Sequence, residues 1–255
     1  RVVTQAVALL AAVGSVWALA RLVATRATRE ARAEARLVVV RSAAAWSVAR
    51  RVVAQALALA AVAGALCAAA DNRPAIVCFG DSLTAGMGLD AGQAYPEVLQ
   101  RLLDRRGFRY RVVNQGVSGE TSQDGLARVP MVLAEKPAVV VLEFGANDGL
   151  RGQPIANTEK NLAQMIERLQ GARARVVLAG ITLPPNYGRA YIQRFDAMYK
   201  SLAAKYKVEM IPFLLAGVAG NPKLMQRDGL HPNADGTRIV AGTVSQAILA
   251  LLKRR

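Results

Sequence analysis

Apolar runs alternate with amphipathic segments along the chain from residue 75 onward. The runs are short enough for buried strands, and the segments between them repeat their apolar positions every three or four residues, as helices do. The predicted strands are 75–79, 111–114, 138–144, 175–179 and 208–211. The predicted helices are 95–106, 121–134, 158–169, 189–206 and 234–252. This alternation predicts the α/β class, with a five-stranded parallel sheet between two helix layers in a three-layer αβα sandwich.

Small and polar residues follow the predicted strands at one edge of this sheet. Ser82 comes shortly after the first strand, Gly116 after the second and Asn147 after the third, while His231 lies in the loop after the fifth. Ligands of open parallel sheets bind beyond the carboxyl ends of the strands. We therefore expect these four residues to meet at one site.

The first seventy residues follow a different pattern. Arg50 and Arg51 precede an apolar run at 52–66 and the small residues Ala68–Ala70. A basic start, an apolar stretch and a small-residue cleavage site predict a signal peptide at 50–70, with a domain at 71–255. Residues 1–49 are an uncertain extension, for which we expect either a mis-assigned start or a membrane span, and less readily an organelle presequence.

The net charge of +15 divides almost equally between the two parts of the chain. Residues 71–255 carry 24 basic and 16 acidic residues, a net of +8. Their Lys and Arg are scattered, without the basic runs and interleaved aromatics of a nucleic-acid surface, so we expect no nucleic-acid partner. Such a surface would favour anionic lipids or anionic substrates. The two cysteines, Cys67 and Cys78, form no CxxC pair, and we expect Cys78 to be a small buried side chain.

His231 is the only histidine in the chain. A serine hydroxyl needs a base in contact with it to become a nucleophile, so a serine hydrolase with a histidine base must use His231. Asp228 lies three residues earlier, across an Asp-Gly-Leu-His turn, where its carboxylate can orient Nδ1 and leave Nε2 for Ser82. Taken singly, these residues also fit a helix-capping serine, a capping aspartate and a surface histidine.

Acyl transfer also needs hydrogen-bond donors for the oxyanion. The candidates are the backbone N–H groups of Ser82 and Gly116 and the side-chain amide of Asn147, although each of the last two is also common in ordinary turns. The spacing of Gly86, Gly88 and Gly92 is not that of a dinucleotide loop, and no Walker lysine follows. No cluster of His, Cys and carboxylate residues predicts a metal site.

Four segments, in order, resemble the four conserved blocks of the SGNH/GDSL hydrolase family. They are Gly80–Leu83, Gly116, Gly145–Asp148 and Asp228–His231. Residues 118–123, 147–152 and 183–189 are more closely similar to the bacterial periplasmic group of thioesterases, lysophospholipases and arylesterases. The resemblance covers essentially all of residues 71–255.

This resemblance implies a flavodoxin-like αβα fold, a Ser82–His231–Asp228 triad, and an oxyanion hole formed by Ser82, Gly116 and Asn147. It implies substrate contacts in two loops, with no metal and no cofactor. The substrate-binding residues that it indicates are Asp148, Gly149, Leu150, Pro184 and Tyr187.

The implied substrates are acyl esters and thioesters, including aryl esters, lysophospholipids and acyl-CoA. The mature domain is expected in the bacterial periplasm or secreted and not membrane-spanning, with membrane anchoring through the N-terminal segment as the alternative. The sequence predicts no oligomeric state. A carbohydrate deacetylase of the same fold and a catalytically silent envelope binding module remain alternative functions.

Overall fold

A computed structural model describes residues 71–252 of the chain. The signal peptide expected at 50–70 and the extension at 1–49 lie outside the described residues, as does Cys67. Within the described part of the chain, none of the helices combines the length and the hydropathy that a membrane span requires.

Five parallel strands form one sheet, as the sequence predicts, in the order β2-β1-β3-β4-β5. The strands are β1 (Ala75–Gly80), β2 (Arg111–Gly116), β3 (Pro137–Glu143), β4 (Arg175–Ala179) and β5 (Glu209–Ile211). All six residues of β1 are buried, because β1 is paired on both sides and covered by helices. Cys78 lies within it, and burial raises the pKa of its thiol to about 12.

Helices cover both faces of the sheet. The α-helices are α1 (Ser82–Ala85), α2 (Tyr95–Arg105), α3 (Ser122–Ala134), α4 (Ala146–Leu150), α5 (Ile155–Gly171), α6 (Arg189–Tyr206) and α7 (Ala234–Leu249), and Pro185–Tyr187 forms a 3₁₀ turn. α2 packs on α7 in one layer, and α5 packs between α3 and α6 in the other. The predicted three-layer αβα architecture is therefore confirmed.

The chain changes direction across the sheet at β1. It passes from β1 to β2 on one side and then returns to β3 on the other, so the connections that follow β1 and β3 diverge. A crevice opens at such a switch point, beyond the carboxyl ends of the two strands. Ser82 follows β1 and Asn147 follows β3, so both residues lie at this crevice.

The short helices and some element ends differ from the sequence prediction. α1 and α4 have four and five residues, too few for an apolar period to be visible. β2 continues to Gly116, and α7 ends at Leu249 rather than 252. Thr121 and Asp124 cap the start of α3 by forming a reciprocal capping box.

Candidate active site

Ser82 is the first residue of α1, directly after the turn that ends β1. Asp81 caps this helix, because its carboxylate accepts a hydrogen bond from the backbone N–H of Leu83 at 3.0 Å. The first N–H groups of a helix have no partner within the helix. The backbone N–H of Ser82 is therefore available to a ligand, while its side chain points towards His231.

Ser82, His231 and Asp228 form one hydrogen-bonded series. Ser82 Oγ lies 2.8 Å from His231 Nε2, and His231 Nδ1 lies 2.6 Å from Asp228 Oδ2. The other carboxylate oxygen of Asp228 accepts hydrogen bonds from the backbone N–H groups of Leu230 and His231, at 2.9 and 3.0 Å. The tight turn predicted from the D-x-x-H spacing thus brings the carboxylate back onto the ring.

The electrostatics of Asp228 favour its charged form. Burial acts to raise the pKa of this carboxyl, but hydrogen bonds from the backbone and the ring of His231 and from Leu230 outweigh it. They hold the pKa of Asp228 below its ordinary value. A charged carboxylate at Nδ1 keeps the proton on that nitrogen and leaves Nε2 as the acceptor for the Ser82 hydroxyl.

The two further oxyanion candidates lie beside Ser82, and both already donate hydrogen bonds. The Asn147 amide donates to Asp81 Oδ2 at 3.1 Å and to the carbonyl of Glu120 at 2.9 Å. The backbone N–H of Gly116 donates to Asn114 Oδ1 at 3.0 Å. An oxyanion bound here would therefore either share these donor groups with their present acceptors or displace one of those acceptors.

Gly116 has a packing role that the sequence analysis did not find. A Cβ atom at this position would meet the backbone of Thr84 and Ala85, in the helix that carries Ser82. The absence of a side chain thus lets α1 lie directly against the end of β2.

A pair of buried carboxyl groups lies beneath Ser82, and sequence reasoning missed it. Glu143 Oε2 accepts hydrogen bonds from the Asp81 backbone N–H at 3.1 Å and from Thr84 Oγ1 at 2.9 Å, whereas Glu143 Oε1 has no partner among the described residues. Burial raises the pKa of Asp81 to about 6, against opposing hydrogen bonds. Burial, followed by the nearby Asp81 charge, raises the pKa of Glu143 well above its ordinary value. The sequence feature that could have revealed this pair is Glu143 itself, an acidic residue at the end of the otherwise apolar strand β3.

Comparison with known proteins identifies the family. The model of the GDSL-like lipase/acylhydrolase family matches residues 78–239, which is more than half of the chain and includes Ser82 and His231. The chain belongs to this family of ester hydrolases.

Relatives within the GDSL-like family cover most of the described domain. The chain is 49% identical to esterase TesA of Pseudomonas aeruginosa over 158 residues, 62% of this chain and 79% of the relative. It is 40% identical over 186 residues to thioesterase 1/protease 1/lysophospholipase L1 of Escherichia coli strain K12, covering 72% and 86%. The crystal structure of TesA aligns with a TM-score of 0.68 at 45% identity, over 70% of this chain and 99% of that one.

Two of the substrate contacts implied by the resemblance are buried in this GDSL-like domain. Asp148 is fully buried, and its carboxylate accepts hydrogen bonds from the backbone and hydroxyl of Ser122 at 2.8 and 2.5 Å and from Thr158 at 3.2 Å. Gly149 is also buried, with the side chain of Leu183 against it. These hydrogen bonds link Asp148, in α4, to the first residue of α3 and to α5.

The other three predicted substrate residues are half-buried and belong to two loops that are tied together. The Tyr187 hydroxyl donates to the carbonyl of Leu150 at 2.8 Å, and the Tyr191 hydroxyl donates to the carbonyl of Gln153 at 3.1 Å. Pro184 lies just before the 3₁₀ turn that holds Tyr187. These bonds fix the 150–153 segment, which follows Asn147, to the start of α6.

Proposed function

We propose that this GDSL-like hydrolase cleaves acyl esters and thioesters through a Ser82–His231–Asp228 triad. The observation that carries the proposal is the hydrogen-bonded series from Ser82 Oγ to Asp228, at the switch point of the sheet. A nucleophile in contact with a base, which is itself oriented by a carboxylate, is the arrangement that acyl transfer requires.

In the first half-reaction, Ser82 Oγ attacks the substrate carbonyl carbon while His231 Nε2 takes the hydroxyl proton. The oxyanion of the tetrahedral intermediate receives hydrogen bonds from the Ser82 and Gly116 backbone N–H groups and from the Asn147 amide. The intermediate collapses, and the leaving alcohol or thiol takes the proton from His231. Water then attacks the acyl-enzyme by the same route, which releases the carboxylic acid and restores Ser82.

The substrate proposal covers aryl esters, lysophospholipids and acyl-CoA. Its support is the names of the relatives, an esterase and a thioesterase/lysophospholipase, together with exposed apolar side chains on the segments around Ser82. The oxyanion donors contact the carbonyl oxygen, which esters and thioesters have in common. The same site can therefore accept a substrate whose leaving atom is either oxygen or sulfur.

We further propose that the mature protein begins near Asp71 and acts in the periplasm or outside the cell. The support is the signal-peptide pattern at 50–70. Mass spectrometry of the exported protein tests this, and recovery of peptides from 21–51 in the exported form would contradict it.

Substitution of the triad tests the catalytic proposal. Ser82→Ala and His231→Ala are expected to remain folded and to lose hydrolysis of p-nitrophenyl esters by roughly 10³-fold or more, because neither an acyl acceptor nor its base remains. Ser118→Ala, at an exposed serine beyond β2, is the matched control and should keep wild-type kcat. A fluorophosphonate probe should label the wild type and not Ser82→Ala. Activity retained by Ser82→Ala would rule the triad out.

A further inference from the structure

Arg128 of α3 is a largely buried cation that the triad mechanism does not use. Its side chain is 15% exposed and lies 5.0 Å over the ring of Phe79. Its Nε and Nη2 atoms hold the Glu120 carboxylate at 2.8 and 2.5 Å. Nη2 also donates to the carbonyl of Gln115 at 3.1 Å and lies 3.5 Å from that of Gly80.

The polar contacts of Arg128 lead to residues of the candidate site. The Gln115 carbonyl belongs to the same peptide unit as the Gly116 N–H, one of the oxyanion donors. Arg128 pairs with the side-chain carboxylate of Glu120, and the backbone carbonyl of Glu120 accepts a hydrogen bond from the Asn147 amide. The Gly80 carbonyl lies at the end of β1, two residues before Ser82.

We propose that Arg128 is a positioning residue for the oxyanion hole, which fixes the Gln115–Gly116 peptide and, through Glu120, the Asn147 amide. The inference rests on the proposed function, since it assigns the way in which that site is held together.

Two physical effects support this role. The planar guanidinium offers several donors in a fixed geometry, so one side chain can fix a carboxylate and a carbonyl at once. A hydrogen bond from a cation to a peptide carbonyl also polarises that peptide, which makes its N–H a better donor to a developing negative charge. Arg128 thus acts on the far side of the peptide, without contacting the substrate.

Arg111 provides a matched control. It forms a similar pair, with its guanidinium 2.7 Å from Glu135 Oε2 and 2.9 Å from the Glu135 carbonyl, and its side chain is 25% exposed. It lies at the first residue of β2, the opposite end of the strand from Gly116. Arg111→Met therefore measures the cost of breaking such a pair away from the site.

The test compares Arg128→Met with Arg111→Met in kcat, KM and urea unfolding. Since loss of one whole oxyanion donor costs about 10²–10³ in kcat, displaced donors should lower kcat about 10- to 100-fold, with KM little changed. Arg111→Met should keep wild-type kcat even where its stability falls. In an Asn147→Ala background, Arg128→Met should cost less than in the wild type, because the part of its effect that passes through Asn147 is already lost.

Equal kcat in the two arginine variants, or an undiminished effect of Arg128→Met beside Asn147→Ala, would overturn the inference. Should Arg128→Met fail to fold, Arg128→Lys in Ser82→Ala protein offers a readout that needs no activity. The NMR resonances of the Gly116 backbone amide and the Asn147 side-chain amide should shift in Arg128→Lys and not in Arg111→Lys. Unshifted resonances in Arg128→Lys would also overturn the inference. An inactive wild type, or an active Ser82→Ala, would instead overturn the proposed function on which the inference rests.

Discussion

Gly116 is constrained at the residue scale by the helix that carries Ser82. A methyl group at this position would press on the backbone of Thr84 and Ala85, which cannot turn aside as a side chain can. Gly116→Ala is expected to destabilise the domain by about 1–3 kcal/mol, in the range of overpacked sites, and to lower kcat by displacing Ser82. Thermal unfolding and ester hydrolysis measure the two effects.

Gly242, inside α7, is the control glycine. An added Cβ there meets no atom within 4 Å apart from its chain neighbours and the backbone of its own helix, so Gly242→Ala should keep wild-type kcat and gain about 0.5–1 kcal/mol of stability from helix propensity. Wild-type stability and kcat in Gly116→Ala would show that β2 and α1 are less tightly apposed than this geometry requires.

Sequence reasoning finds residues whose geometry is local and misses those whose geometry depends on packing. Asp228 and His231 are three residues apart in one turn, so their contact could be predicted from spacing alone. Arg128 and Glu120 lie eight residues apart, across the start of α3, and only the packed structure brings them together. The burial of Asp148 likewise follows from the approach of α3 and α5 to α4, which no local pattern encodes.

At the scale of elements, the ends of β1 and β3 bring two carboxyl groups together beneath the site. The raised pKa values of Asp81, at about 6, and Glu143 mean that the native state holds these protons more tightly than the unfolded chain. From the ordinary value of 3.8 for Asp81 up to about 6, and over the range above the ordinary value of Glu143, the native state therefore binds more protons. The free energy of unfolding should fall as pH rises through this window.

Glu143→Gln removes one of the two titrations while keeping the shape of the side chain. The pH-dependent fall in unfolding free energy should become smaller than in the wild type, because one of the two carboxyl groups with a raised pKa is gone. Urea unfolding between about pH 4 and 8 measures the slope, with Glu209→Gln at the exposed start of β5 as the control. An unchanged slope in Glu143→Gln would mean that Glu143 is not the group that titrates.

The strands and long helices could be predicted because their signals are extended. Strands buried on both faces read as continuous apolar runs, and helices of eleven or more residues show their buried face repeatedly. α1 and α4, which carry Ser82 and Asn147, are one turn long and show no period. The two helices that carry the candidate site residues were therefore the hardest elements to predict from the sequence.

At the scale of the whole molecule, the exposed apolar side chains are unevenly placed. The large ones among the described residues are Met87, Val117, Met131, Leu230 and Ile239, each at least 41% exposed. Met87 follows α1, Val117 follows Gly116 and Leu230 precedes His231; we call these three the apolar rim. Met131 and Ile239 lie on α3 and α7. Exposed apolar side chains next to the proposed nucleophile Ser82 would suit the proposed substrates with an apolar acyl chain.

The apolar rim leads to a prediction about acyl-chain length. Each methylene that leaves water gains about 0.8 kcal/mol, so two further carbons should raise kcat/KM for p-nitrophenyl esters about tenfold until the contact surface is used up. Replacing Met87, Val117 and Leu230 with serine should flatten this rise and leave hydrolysis of the acetate ester nearly unchanged, because an acetyl group has little apolar surface to bury. The same replacement of Met131 and Ile239 should preserve the rise, since those residues lie within α3 and α7 and not in the segments next to Ser82, Gly116 and His231. If the wild type cleaves acetyl esters alone, with no gain on lengthening the chain, the rim does not bind acyl groups and a deacetylase becomes the better assignment.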